Sequence, residues 1–178
     1  MRSLLCITVA AMALASIAGP AGAATESRYQ TAQGGVSCKP TNPGSTGVVA
    51  KATGLRNEGT VATTVICGFE SSNSRGDGGT ILGITMGLYG LNGASKAVNC
   101  TAVNGFANGA PIYATKSVTT DAGGSASILT FDASDFGGTA GNPLPESDYW
   151  SITCNMPGST SIGYMRTQFT VNVPNPPA

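Results

Sequence analysis

Four cysteines recur in one local setting along this chain: Val36-Ser37-Cys38, Val65-Ile66-Cys67, Val98-Asn99-Cys100 and Ile152-Thr153-Cys154. Each lies two places after a β-branched residue, and residues two apart in an extended strand share a face. Each thiol is therefore expected to point into a core beside an apolar neighbour. An even number of such cysteines in an oxidising compartment predicts two disulfides. Three pairings are possible. Cys38–Cys67 with Cys100–Cys154 is favoured: the first joins an N-terminal strand to the next strongly apolar one, and the second ties the C-terminal strands to the middle. Cys67–Cys100 with Cys38–Cys154 remains open. The chain has no histidine and no CxxC, so zinc would need all four thiols to converge from separate strands. No metal site and no cofactor is expected.

The fifth cysteine, Cys6, belongs to a different segment. Arg2 is followed by an uncharged apolar run from Leu4 to Ala18, a Gly19-Pro20 break and the small residues Ala21, Gly22 and Ala23. That order matches a cleaved signal peptide over residues 1–23. The run falls short of the ~20 apolar residues that span a bilayer, so the mature chain is expected to lack a transmembrane segment. Residues 24–35 read as a flexible polar arm, residues 36–173 as one domain and residues 174–178 as a proline-rich tail. The expected location is secreted, extracellular or periplasmic, and the layout is similar to that of small exported bacterial proteins.

Helical signals are scarce, with 25 glycines and 10 prolines and no capped 3.6-residue apolar period. Period-two patterns are plentiful. Thr80 to Gly90 is the clearest, with Leu82, Ile84, Met86 and Leu88 on one face and glycines, Thr85 and Tyr89 on the other. Those glycines predict either a close approach by a neighbour or a bulge. Pro111–Thr120 with Gly124–Asp132, and Asp148–Met156 with Ser161–Val173, read as hairpins. The apolar parity changes between Tyr164 and Met165, which predicts either a bulge in the last strand or a strand buried on both sides. Together these patterns predict an all-β fold: a two-sheet antiparallel β-sandwich of eight or nine strands, supported by disulfides.

Only 10% of residues are charged, against about 25% in ordinary domains. Nine basic residues less Arg2 leave eight against nine acidic ones, so the positive footprint needed for nucleic acid is missing. Without histidine there is no Ser-His-Asp or Cys-His set. The remaining enzymatic reading is a small carboxylate-dependent hydrolase of polysaccharide or cell-wall material. It would use a pair drawn from Asp132, Asp135, Glu146 and Asp148. Ordinary turn-capping duty explains these aspartates more simply. Asp77 with Asp132, Asp135 and Asp148 are hard-oxygen ligands without calcium-loop spacing.

The leading expectation is non-enzymatic: a binding or surface-assembly protein that meets a glycan or protein at the cell surface, or self-associates. Tyr89, Tyr113, Tyr149 and Trp150 are its candidate surface aromatics, although Trp150 shares parity with Ile152, Cys154 and Met156 and so is expected in the core. The irregular loop from Ala133 to Ser147 is the expected place for function.

Overall fold

The computed structural model describes residues 24–69, 80–105, 110–145 and 150–173. The expected signal peptide, the proline-rich tail, Asp77 and the segment carrying Glu146, Asp148 and Tyr149 lie outside the described residues.

Eleven strands are described. They are β1 (Ala24–Gln33), β2 (Cys38–Pro40), β3 (Val48–Lys51), β4 (Gly54–Asn57), β5 (Thr63–Phe69), β6 (Thr80–Gly90), β7 (Ala97–Asn104), β8 (Ile112–Thr119), β9 (Ser127–Asp132), β10 (Trp150–Met156) and β11 (Thr160–Val173). One helical turn, α1 (Gly34–Ser37), links β1 to β2, and a 3-10 turn, Ala133–Phe136, follows β9. Two antiparallel sheets form the sandwich. The six-stranded sheet runs β3-β4-β11-β6-β9, with β1 also paired to β11, and the five-stranded sheet runs β2-β5-β10-β7-β8.

Both disulfides form in the favoured pairing, Cys38–Cys67 and Cys100–Cys154. Each joins directly opposed residues of neighbouring strands in the five-stranded sheet. Their sulfurs face the other sheet. Cys38 Sγ lies 3.4 Å from Met165 Sδ, and Cys154 Sγ lies 3.9 Å from Met86 Sδ. Met165 and Met86 are themselves cross-strand partners on β11 and β6. Polarisable thioethers fill irregular gaps well, and here they fill the space between two rigid cystines. Around this layer Val65, Ile84, Leu88, Val98, Phe131, Ile152, Met156 and Ile162 are completely buried.

Asn57, also fully buried, holds one end of the core together. Its amide donates to the carbonyls of Val61 and Met156, at 2.9 and 2.8 Å, and its oxygen accepts from Gly59 N–H at 3.1 Å. Among the described residues no buried side-chain nitrogen or oxygen lacks a partner.

Several expectations are corrected. Residues 24–35 are not a loose arm: β1 pairs with β11 over ten residues, from Ala24↔Val173 to Gln33↔Tyr164. Its polar sequence lacks alternation because Thr25 to Tyr29, Thr31 and Gln33 are all exposed and β1 pairs with β11 alone, so pairing rests on the backbone ladder. The two expected hairpins are arches. β8 and β10 lie in the five-stranded sheet, while their successors β9 and β11 lie in the six-stranded one. An arch and a hairpin both turn apolar faces to the core, so alternation alone does not separate them.

Leu82 is displaced from the inward set by Ile81, which is 6% exposed. The ladder with β11 slips at this point, Gly83 facing Gln168 and Ile81 facing Phe169. The bulge in β11 falls at Gly163, between Ile162↔Leu88 and Tyr164↔Gly87, ahead of Tyr164 rather than after it, so Tyr164 leaves the face of Ile162 and turns outward. It allows Ile162 and Met165 both to face inward.

Candidate functional site

The described part of the loop after β9 packs into the sandwich as a plug. Ala133, Phe136 and Leu144 are buried. Phe136 meets Trp150 edge-on, ring centroids 5.0 Å apart, and Phe131 lies on its other side at 6.5 Å. Trp150 is 3% exposed, so this candidate surface aromatic belongs to the core, as its parity with Cys154 requires. Leu144 N–H donates to Ile81 C=O at 2.7 Å, and the Asn104 amide donates to Pro145 C=O at 3.0 Å. The loop is thus tied near its C-terminal side at two adjacent residues.

Its two described carboxylates serve the same plug. Asp132 caps the 3-10 turn, accepting from the N–H and hydroxyl of Ser134. Asp135 closes the capping box on Asp132 N–H at 2.9 Å and pairs with Lys116 Nζ at 2.7 Å. The Ser134 hydroxyl, then the Ser134 N–H, hold the Asp132 carboxyl below the usual aspartate range, with the Lys116 charge adding a smaller push. A general acid of a glycosidase needs the opposite shift. Glu146 and Asp148 lie outside the described residues. Among the described residues no three His, Cys, Asp or Glu side chains come together, and no helix is long and apolar enough to cross a membrane.

The remaining tyrosines separate. Tyr113 is 61% exposed on β8, at the edge of the five-stranded sheet. Tyr89 stands on the outer face of the six-stranded sheet, where it has company that its sequence neighbourhood did not suggest. Pairing of β1, β11 and β6 brings Tyr29, Tyr164 and Arg166 to the same outer face. The Arg166 guanidinium lies 5.4 Å from the Tyr29 ring centre and 5.5 Å from that of Tyr164, within cation–π range of both.

Two glycines set the rings flat. Tyr164 lies over Gly87, and Tyr89 lies over Gly163; a Cβ at either glycine would collide with the ring above it. The outward glycine of β6 and the bulge glycine of β11 thus each receive the tyrosine of the opposite strand, a cross-strand cover for a bare backbone. The result is a strip ordered Tyr89, Tyr164, Arg166, Tyr29. It runs about 20 Å along β11, taking about 3.3 Å per residue.

Thr31 and Thr85 flank Arg166, and Gln33 and Ile128 flank the Tyr164 row. Tyr29 and Ile128 are 59% and 49% exposed. At the Tyr89 end the strip opens onto a hollow of about 490 Å³ lined by Arg56, Thr53, Ser161 and Tyr89.

Sequence reading named only Tyr89 of this strip. The signal for Tyr164 was present: outward glycines on β6 predicted a close approach, and the approaching group is the Tyr164 ring. Tyr29 had no such signal, because its place depends on the β1–β11 ladder.

No family model and no curated protein matches the chain. Among solved structures it is similar to a family 11 carbohydrate-binding module from Clostridium thermocellum in complex with a β-1,3-1,4-mixed-linked tetrasaccharide. Identity is 13%, covering 88% of this chain and 92% of the other, with a TM-score of 0.36. It is also similar to a family 61 module, TmCBM61, in complex with β-1,4-galactotriose, at 9% identity over 81% of this chain and 88% of the other, with a TM-score of 0.38. Overlap this loose assigns no residue a role and gives this chain no ligand.

Proposed function

We propose that this protein is an exported, non-enzymatic glycan-binding β-sandwich whose ligand lies along the Tyr89–Tyr164–Arg166–Tyr29 strip. The observation that carries this reading is the pair of tyrosines laid flat over Gly163 and Gly87 on a solvent-facing sheet. A pyranose ring offers an apolar C–H face and a rim of hydroxyls. A flat phenol stacks on the first, while its own hydroxyl and the neighbouring threonines and glutamines serve the second. The core is filled by the inner faces, so these rings are not needed to close it. Export is supported by the signal-like sequence of residues 1–23 and by two disulfides.

The hydrolase reading has less support. Asp132 and Asp135 are held as caps, and the Asp132 carboxyl is depressed rather than raised.

The test is a glycan array with the purified mature chain, followed by calorimetry on the best ligand. Tyr164→Ala should weaken binding by about 2 kcal/mol, about thirtyfold, while the melting temperature stays within a few degrees. Retained affinity in that variant would refute the strip as the binding site. A silent array with high-mass species in light scattering would point instead to self-assembly.

A further inference from the structure

The chemistry of the strip goes beyond stacking. We infer that its ligand is a glycan carrying carboxylate groups along its length, one of them received by Arg166; this rests on the strip being the glycan site.

Arg166 stands exposed at the centre of the strip with an aromatic ring on either side. Every described carboxylate is committed elsewhere. Glu26 pairs with Arg28, Glu58 with Lys51 and Arg56, and Asp135 with Lys116. Asp132 accepts from Ser134, and Asp121 accepts from the Ser125 N–H within its own turn. Among the described residues Arg166 therefore has no carboxylate partner. Asp132 shares the outer face, but it sits two strands away and one row along, in the row of Gly83, Gln168 and Tyr29.

Tyrosines beside a guanidinium engage its faces and leave its in-plane N–H edge for a ligand. A planar carboxylate matches that edge with two parallel charge-assisted hydrogen bonds, whereas a sugar hydroxyl matches it with one. The second cation is at the Tyr89 end. Lys51 and Arg56 share the single carboxylate Glu58, so that group keeps one positive charge. Arg56 faces Ser161 on β11, five positions from Arg166, or about 16 Å along the strand. Two unbalanced cations thus lie on one line, in a chain whose nine basic and nine acidic residues cancel. This arrangement suits an acidic polymer better than a single terminal acid.

The experiment uses the mature chain and short oligouronides (galacturonide, mannuronide and glucuronide), each beside its carboxyl-reduced neutral counterpart, by calorimetry at low and moderate salt. At least one acidic oligomer should bind about tenfold or more tighter than its neutral form, with the gap narrowing as salt rises. Arg166→Gln should bring the two affinities together, and Arg166→Lys should restore only part of the gap. Equal affinity for acidic and neutral forms, or an unchanged ratio in Arg166→Gln, would overturn the carboxylate inference and leave the strip as a neutral-glycan site. Binding of neither form in any pair would overturn both readings.

Discussion

On the five-stranded sheet, the outward positions of β10, β7 and β8 fall in register as Thr153, Thr101 and Thr115, with Asn155, Asn99 and Ser117 in the next row. On the six-stranded sheet, the outward positions of β1, β11 and β6 read Thr31, Arg166 and Thr85, then Gln33, Tyr164 and Gly87. Both faces have a threonine pair linked by hydroxyls, Thr101–Thr115 at 2.9 Å and Thr85–Thr130 at 3.2 Å. They differ in what interrupts the hydroxyls. One face is interrupted by Ile66 beside Thr153 and by the Val103–Tyr113 pair, whose exposed Tyr113 stands at the sheet edge. The other alternates glycine with tyrosine, so its rings lie down against the backbone instead of standing up into water. A period of two dictates which residues face out; the pairing of small with large across the strands dictates whether a flat apolar surface results.

The largest test of this contrast concerns what lies beneath each face. Both disulfides are in the hydroxyl-faced sheet, and the six-stranded sheet relies on the long β1–β11–β6 ladder. The bonds close separations of 29 and 54 residues, for which chain entropy gives about 4 kcal/mol each, slightly more for the longer. Cys100→Ala with Cys154→Ala should therefore lower unfolding stability by about 2–4 kcal/mol in urea titration. Native-state hydrogen exchange should show β7, β10 and β5 losing protection before β11 and β6. Simultaneous loss in both sheets would mean that the two faces share one cooperative unit.

A smaller effect isolates the glycine–tyrosine geometry. Gly87→Ala puts a methyl where the Tyr164 ring lies, and the ring must swing off the sheet. Ligand affinity should fall as far as in Tyr164→Ala, by about 2 kcal/mol, and the double variant should be no worse than either single one. Thr101→Val with Thr153→Val on the opposite face should change affinity by less than about twofold, within the range of neutral surface changes. Full additivity in the double variant would break the link between the glycine and the ring.

The inner faces of this molecule were more legible than the outer ones. Burial at every second residue is written into Val65, Cys67, Ile152, Cys154 and Met156, while the parity change in β11 signals an irregularity but places it after Tyr164 instead of at Gly163. Sheet membership was not written there. β10 and β11 present apolar faces whether they pair with each other or cross the core, and it is their partners β5, β7, β4 and β6 that decide. The outer strip was half legible. Outward glycines on β6 signal a close neighbour, but Tyr29 and Arg166 meet only through the ladder between β1 and β11, which are far apart in sequence. The loop at Ala133 looked functional because it is irregular and acidic. Its buried Phe136 and Leu144 are too widely spaced to register as a pattern.

The smallest expected effect concerns the seam where the two faces meet. Lys116, on the edge strand β8, reaches across to Thr130 C=O at 2.8 Å on β9 and to Asp135. Asp132 caps the turn beside it, and Asp121 ties the β8–β9 arch. Asp121 is depressed first by the Gly123 N–H and then by the Ser125 N–H, and Asp132 by the Ser134 hydroxyl. A carboxyl whose folded pKa lies below its unfolded one adds stability in full above the unfolded value. It loses that stability as pH falls through the folded value. The window therefore lies below about pH 4, the ordinary aspartate range. Melting temperature should be level from about pH 7 to pH 5 as far as these two groups decide it, and should decline slightly below about pH 4. Asp132→Asn should remove part of that decline. Hydrogen exchange at low pH should rise first at Ala133–Phe136 and the arch, with the amides of β11 beneath Tyr164 and Arg166 still protected. Early exchange in β11 would show that the strip depends on the seam and is not held independently by its glycines.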